Sequence, residues 1–208
     1  LCSRFTIVDK PDRMTVHYSC AAAGWGRTSL LVSTPRLVLV DTQGIARGEK
    51  MDLILQKATE LGAAGFIPVM TARSTVKLDE RTAVARRQHW QAVVTSACEQ
   101  SGRNTVPEVA APVPLHQCLR PAGGLRLLLS PGEEAQALSA LLAAAPPGQP
   151  LPRIELLVGP EGGFDPAEAA AALAAGFRAC RLGPRVLRTE TAGLAALAAL
   201  QTLAGDLR

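Results

Sequence analysis

An α/β domain with a mainly parallel sheet is the fold that this sequence predicts for residues 37–208. Three observations lead there. Short strand-like runs at residues 37–40, 65–70, 126–129, 154–158 and 178–182 alternate with stretches of helical periodicity. The runs at 37–40 and 154–158 are continuously apolar rather than alternating in polarity, as strands covered on both faces are. Glycine-rich breaks follow the last two runs, at the strand ends where open α/β sheets gather their ligands.

The elements follow in order. Residues 1–36 read as a separate small β module, with strands at 5–8, 14–18 and 29–33 and turns at 9–12 and 24–26. The run Leu37-Val-Leu-Val40 opens the α/β regime, and residues 44–48 form a loop. Met51, Ile54, Leu55, Ala58 and Leu61 fall on one stripe, so 49–61 is an amphipathic helix stopped by Gly62. The strand at 65–70 contains Pro68, which points to an edge or a bend. Residues 80–101 form a long helix that buries Ala83, Trp90, Val93, Val94 and Ala97, and 107–114 is a linker. The strand at 126–129 ends on Ser130-Pro131-Gly132, a helix covers 133–144, and 146–152 is a Pro/Gly connection.

Residues 153–168 carry the strongest local signal. The apolar run 154–158 breaks at Gly159-Pro160-Glu161-Gly162-Gly163, and a helix starts at once. Asp165 suits its N-cap, Pro166 its first position and Glu168 the return arm of a capping box, and Gly176 stops it. Strand, glycine turn and helix N-terminus let a backbone approach a small ligand closely. An ordinary βα turn needs the same glycines. The turn has neither the Gly-Lys-Ser/Thr of a phosphate-binding loop nor a GxGxxG pattern. A second glycine turn, Leu182-Gly183-Pro184, follows the next strand and leads into an Ala/Leu-rich helix from residue 189 to 203. Two such turns can frame one crevice.

Composition bounds the function classes. Of 208 residues, 48% are apolar and 3% aromatic, so Leu, Val and Ala carry the core. The net charge of +4 is compatible with a nucleic-acid partner and equally with a solvated basic surface. Cys2, Cys20, Cys98, Cys118 and Cys180 show no CxxC pair, and His17, His89 and His116 no metal-ligand spacing. No metal site and no disulfide framework are expected, and the reducing cytoplasm is the expected compartment. The start shows no signal-peptide pattern, and the longest apolar run, 192–200, is far short of a membrane span.

The motif Gly159-Pro160-Glu161-Gly162-Gly163-Phe164, followed by Leu182-Gly183-x-Arg185-Val186-Leu187-Arg188-Thr189-Glu190-Thr191-Ala192, resembles the family that methylates N3 of a uridine in 16S ribosomal RNA. That family belongs to the SPOUT class of knotted methyltransferases. The likeness extends upstream to residues 48–62, to Arg73-Ser74-x-x-Lys77 and to Glu99-Gln100-Ser101-Gly102-Arg103, and spans about residues 37–205. It implies a trefoil knot near the C-terminus, a shortened PUA-like β domain over residues 1–36, and a homodimer. It also implies S-adenosylmethionine as methyl donor. Physical rules of topology alone lead to an open, unknotted sheet.

The resemblance assigns the cofactor cradle to Leu129, Ser130, Gly159, Pro160, Glu161, Gly162, Gly163, Leu182, Gly183, Leu187, Thr191 and Ala192. The glycines leave room for backbone contacts, while Leu182 and Leu187 pack on adenine or belong to the core. Methylation at uridine N3 removes a proton and leaves negative charge on the base, which a cation stabilises and a carboxylate relieves. Arg188 is the expected charge stabiliser and Glu190 the proton acceptor, with Arg103 as a further catalytic candidate. The other reading of Arg188 and Glu190 is a tie between loop and helix. Lys50, Lys57, Arg73, Lys77, Gln100 and Ser101 are candidates for contacts to RNA. Arg86 and Arg87 fit a solvated helix face better, and Glu60 fits an ion pair within the first helix. The expected partner is 16S rRNA or the small ribosomal subunit. Two other readings are a non-catalytic RNA-binding factor and a SPOUT methyltransferase acting on another RNA.

Overall fold

A computed structural model describes residues 5–10, 13–18, 37–76, 78–120, 123–132, 134–144 and 153–207. The readings for residues 24–33 and 146–152, for Lys77, and for Cys2 and Cys20 lie outside the described residues. The chain divides into two compact units, Leu1–Pro35 and Arg36–Arg208.

In the smaller unit, β1 (Phe5–Lys10) and β2 (Arg13–Tyr18) pair antiparallel, with Phe5 opposite Tyr18 and Lys10 opposite Arg13. Both strands continue into the stretch 9–13 that the sequence had assigned mostly to a turn.

In the larger unit the chain runs β3 (Leu39–Gly44), α1 (Glu49–Glu60), β4 (Gly65–Met70), α2 (Glu80–Ser101), β5 (Glu108–Val109), β6 (Val113–Pro114), α3 (Leu115–Cys118) and β7 (Leu125–Leu129). It continues through β8 (Gln136–Ala137), α4 (Leu138–Ala143), β9 (Ile154–Val158), α5 (Pro166–Ala174), β10 (Arg178–Arg181) and α6 (Thr189–Ala204). The strands form one sheet in the order β5-β4-β3-β9-β7-β10-β8, with β6 also on β4, and every pairing is parallel. The expected α/β architecture with a mainly parallel sheet is present. Leu39, Phe66, Leu127, Leu156 and Val158 pack with α1, α2, α4 and α6 on one face. Val69, Leu128 and Leu157 pack with α3, α5 and Phe177 on the other.

Local chemistry sets the element ends. Asp79 caps α2 by accepting from Thr82 N at 2.7 Å, and Gly102 closes the helix with a left-handed φ of 71°. Asp165 and Glu168 form the complete capping box of α5, with Pro166 in its first turn. Pro68 does not mark an outer edge. It sits in an inner strand, in the gap between the stretches of β4 paired by β5 and by β6, where a missing N–H breaks no outer ladder.

Three expectations need correcting. The strand read as ending at Val40 runs on to Gly44, and Asp41, Thr42 and Gln43 within it are fully buried. Those polar side chains masked the strand. The linker read at 107–114 holds two short strands, and α3 follows it. The helix read at 133–144 is only α4, because Gln136 and Ala137 pair with Cys180 and Arg181 of β10 instead.

One polar cluster is buried beneath α3 and α5. Thr42 Oγ1 donates to Glu155 Oε1 at 3.0 Å, and Arg126 Nε meets Glu155 Oε2 at 3.0 Å. The remaining Arg126 donors reach the carbonyls of Arg120 and Ala175 through Nη1 and of Cys118 through Nη2. The guanidinium also lies 3.9 Å from the Phe177 ring centre. Arg126 thus neutralises a buried carboxylate and satisfies helix-end carbonyls of α3 and α5 together.

Candidate cofactor and active site

The C-terminal ends of β7, β9 and β10 open onto a cavity of about 650 Å³, within the range of small-molecule sites. Three segments wall it. After β7 come Leu129, Ser130 and Pro131, after β9 Gly159, Pro160, Glu161, Gly163 and Phe164, and after β10 the stretch 182–192. Gly163 and Gly183 have φ of 67° and 94°, and a Cβ on either would enter open space. Both positions favour glycine on conformational grounds, and both leave the wall as bare backbone.

Of the twelve residues expected in the cradle, ten line this cavity: Leu129, Ser130, Gly159, Pro160, Glu161, Gly163, Leu182, Gly183, Leu187 and Ala192. Gly162 and Thr191 do not. A Cβ on Gly162 would come within 3.1 Å of Arg73 Cβ and 3.2 Å of Arg73 O, so this glycine makes room for a neighbouring loop. Thr191 lies in the first turn of α6, its N–H on the Arg188 carbonyl.

Arg188 and Glu190 both line the cavity. The Arg188 side chain is 83% exposed and its Nη1 is 4.0 Å from Glu190 Oε1, whereas the Glu190 side chain is 16% exposed. Glu190 Oε2 is buried without a hydrogen bond among the described residues. Its nearest cation is Lys50, whose Nζ lies 3.5 Å from it and 3.4 Å from Glu161 Oε1. Lys50 stands in the first turn of α1 and lines the same cavity. Burial raises the pKa of Glu161, but hydrogen bonds from its own N–H, from Arg47 N–H and from Lys50 outweigh it. They hold the carboxyl below its ordinary value, hence ionised at neutral pH.

The other expected residues lie elsewhere. Arg103 Nη1 donates to Thr59 O at 2.7 Å and Ala63 O at 2.8 Å, tying the end of α2 to the end of α1. Arg103 does not line the cavity of its own chain, and neither do Gln100 and Ser101. Ser101 Oγ donates back to Ala97 O. Lys57 pairs with Glu60 at 2.8 Å on α1. Arg73 Nη1 donates to Gly162 O at 3.3 Å and its Nη2 lies 3.8 Å from Asp165, so it braces the bend after β9. Arg87 donates to Val109 O and pairs with Glu108.

Some lining residues carried no site expectation, among them Val158, Phe164 and Cys180. Phe164 falls inside the first motif, which was the available signal, and Val186 and Thr189, which also line the cavity, lie in the motif loop 182–192. Cys180 gave none. Burial pushes its thiol up to about 11, which leaves it a protonated, unreactive wall.

A family model described as RNA methyltransferase domain matches residues 34–201 of the chain. The chain belongs to that RNA methyltransferase family. It is 39% identical over 173 residues to ribosomal RNA small subunit methyltransferase E of Bacillus subtilis, covering 78% of this chain and 66% of the relative. It is 30% identical over 167 residues to the protein of the same name from Buchnera aphidicola, covering 80% and 64%. The match thus spans just under two thirds of these relatives' length. A crystal structure of ribosomal RNA small subunit methyltransferase E from Neisseria gonorrhoeae, bound to S-adenosyl methionine, superposes with a TM-score of 0.78 at 34% identity. That superposition covers 100% of this chain and 86% of the other.

Proposed function

We propose that this chain methylates N3 of a specific uridine in 16S ribosomal RNA, with S-adenosylmethionine as donor. The observation that carries the reading is the cavity at the ends of β7, β9 and β10, walled by bare glycine backbone with charged groups at its side. Family membership and the S-adenosyl methionine in the Neisseria relative support it.

The residues present fit an adenosyl group. Leu129, Leu182 and Leu187 offer apolar surface to adenine, and the segments Gly159–Gly163 and 182–187 offer backbone amides and carbonyls to ring and ribose. When bound, S-adenosylmethionine supplies an electrophilic sulfonium methyl. Glu190, mostly enclosed and beside Lys50, takes the proton leaving uridine N3. Arg188, reaching outward from the start of α6, stands opposite the negative charge left on the uracil carbonyls. Lys50 balances Glu161 and Glu190 at the cavity, a role different from neutralising RNA phosphates. The Watson–Crick edge of the target must be exposed, so the site takes an unpaired or extruded base.

Further parts of the reading rest on the family. Residues 1–36 act as part of a PUA-like module for RNA docking, the segment around β10 and α6 forms a trefoil knot, and two copies associate. Arg73, Lys57, Lys77 and Arg103 contribute positive charge for RNA, and Gln100 and Ser101 at the end of α2 contribute polar contacts. Action on rRNA places the protein in the cytoplasm. The described residues include no helix long and apolar enough to cross a membrane and no cluster of three metal-ligating side chains.

The test combines binding with turnover. Calorimetry is expected to show saturable binding of S-adenosylmethionine, and its absence would remove the enzyme reading. With saturating cofactor, Glu190→Gln and Arg188→Ala are each expected to slow turnover about 10²-fold. Near-normal turnover in both would take them out of the chemistry. Nucleoside mass spectrometry of rRNA from a deletion strain, with and without the gene restored, identifies the modified base.

A further inference from the structure

Gln43 is the penultimate residue of β3, fully buried, and lines no part of the cavity. Its Nε2 donates to Gly44 O at 2.8 Å and to Thr189 Oγ1 at 3.1 Å. Thr189, the first residue of α6, in turn donates a hydrogen bond from its hydroxyl to Gly159 O. One buried amide therefore reaches both glycine bends. Thr189 belongs to the bend that leads from β10 into α6, and Gly159 opens the bend after β9.

The surrounding backbone is built for close approach to Gln43. A Cβ on Gly44 would come within 2.6 Å of Pro160, and a Cβ on Gly193 of α6 within 3.4 Å of Val158 and 3.8 Å of Gln43 Oε1. The end of β3, the bend after β9 and the first turns of α6 meet where side chains are missing. Gln43 and Thr189 supply the polar link across that junction. Gln43 Oε1 has no hydrogen-bond partner among the described residues, where the Nε2 group alone holds the amide.

We propose that Gln43 is a positioning residue that sets the separation of the two glycine bends through Thr189 and so fixes the width of the cofactor cradle. The proposal rests on the reading of the cavity as the S-adenosylmethionine site. It gives the buried polar end of β3 a purpose that packing does not. An apolar residue there would fill the core, but it would leave Thr189 without its donor and free the hydroxyl from the Gly159 carbonyl.

The experiment measures three quantities on the full chain: the Kd for S-adenosylmethionine, kcat at saturating cofactor and RNA, and Tm without ligand. Gln43→Met keeps the volume and removes the donor, Thr189→Val removes the hydroxyl, and Thr189→Ser keeps it. Thr42→Val serves as control, because it removes a buried hydrogen bond from the same strand on the face away from α6. Gln43→Met and Thr189→Val are each expected to raise Kd about tenfold, the equivalent of one hydrogen bond. Their combination should raise it no further than the larger single effect. Thr189→Ser should recover most of the affinity that Thr189→Val loses, and Gln43→Met should change kcat at saturation less than about twofold. Thr42→Val should lower Tm with Kd unchanged.

An unchanged Kd for Gln43→Met, additive effects of the pair, or an equal rise in Kd for Thr42→Val would overturn the proposal while the cofactor reading stands. A parent protein with no affinity for S-adenosylmethionine would remove both.

Discussion

Two carboxylates are buried in neighbouring strands of one sheet and live in opposite circumstances. Glu155 of β9 accepts from Thr42 and pairs with Arg126, whose other donors are taken up by three carbonyls. Asp41 of β3 faces the opposite side, and neither of its oxygens has a partner among the described residues. Burial lifts its carboxyl from the ordinary 3.8 to about 7. The contrast teaches that partners as well as depth decide what burial costs an acid. Glu155 has a cation and a hydroxyl donor beside it, whereas Asp41 escapes desolvation by holding its proton.

The largest expected effect comes from breaking the paired side. Arg126→Met leaves Glu155 enclosed with no cation and should lower unfolding free energy by about 3–5 kcal/mol in urea titrations. A loss below about 1 kcal/mol would mean that the network is not what stabilises Glu155.

The unpaired side is tested by pH. Between pH 4 and 7 the folded protein keeps the Asp41 proton that the unfolded chain releases. This contribution is therefore complete below about pH 4, shrinks as pH rises, and is gone above about 7. Its full size is of order 4 kcal/mol. Asp41→Asn should flatten that slope and make the protein roughly 1–4 kcal/mol more stable at pH 8. Urea midpoints at pH 4, 6 and 8 measure it, and a slope unchanged by the substitution would refute it.

The smallest effect is that of Thr42→Val. It removes one of the hydrogen bonds on Glu155 while the ion pair persists, and should lower stability by about 0.5–1.5 kcal/mol at any pH from 5 to 8. A loss as large as that of Arg126→Met would erase the distinction between strut and ornament on that face.

These same residues mark where the sequence was readable and where it was not. Four of the strands in the larger unit, at 65–70, 126–129, 154–158 and 178–182, announced themselves within about a residue, the first three as mainly apolar runs bounded by glycine and proline and the last by its place between Gly176 and Gly183. The capping box at Asp165 and Glu168 and the two glycine bends were equally plain. The continuation of β3 was not, because Asp41-Thr42-Gln43 reads as the start of a loop. Partners more than a hundred residues away make Thr42 and Gln43 tolerable inside, and Asp41 is tolerated by holding its proton. The short strands β5, β6 and β8 were missed for a similar reason, since two-residue pairings carry no periodicity. In the cavity, the motifs located most of the wall but misplaced Gly162, whose lack of a side chain serves Arg73. They also gave no hint that Lys50 meets Glu161 and Glu190, a contact that exists only after folding.

The pairing of β3 with β9 has a consequence for how the protein is made. Thr42 and Glu155 are 113 positions apart, so the inner edge of β3 stays unpaired until most of the polypeptide has left the ribosome. During that interval its polar side chains remain in water and its ladder is open to stray strands. Asp41 is then an ordinary ionised carboxylate, whose charge discourages such contacts, and it takes up its proton only when the sheet closes over it.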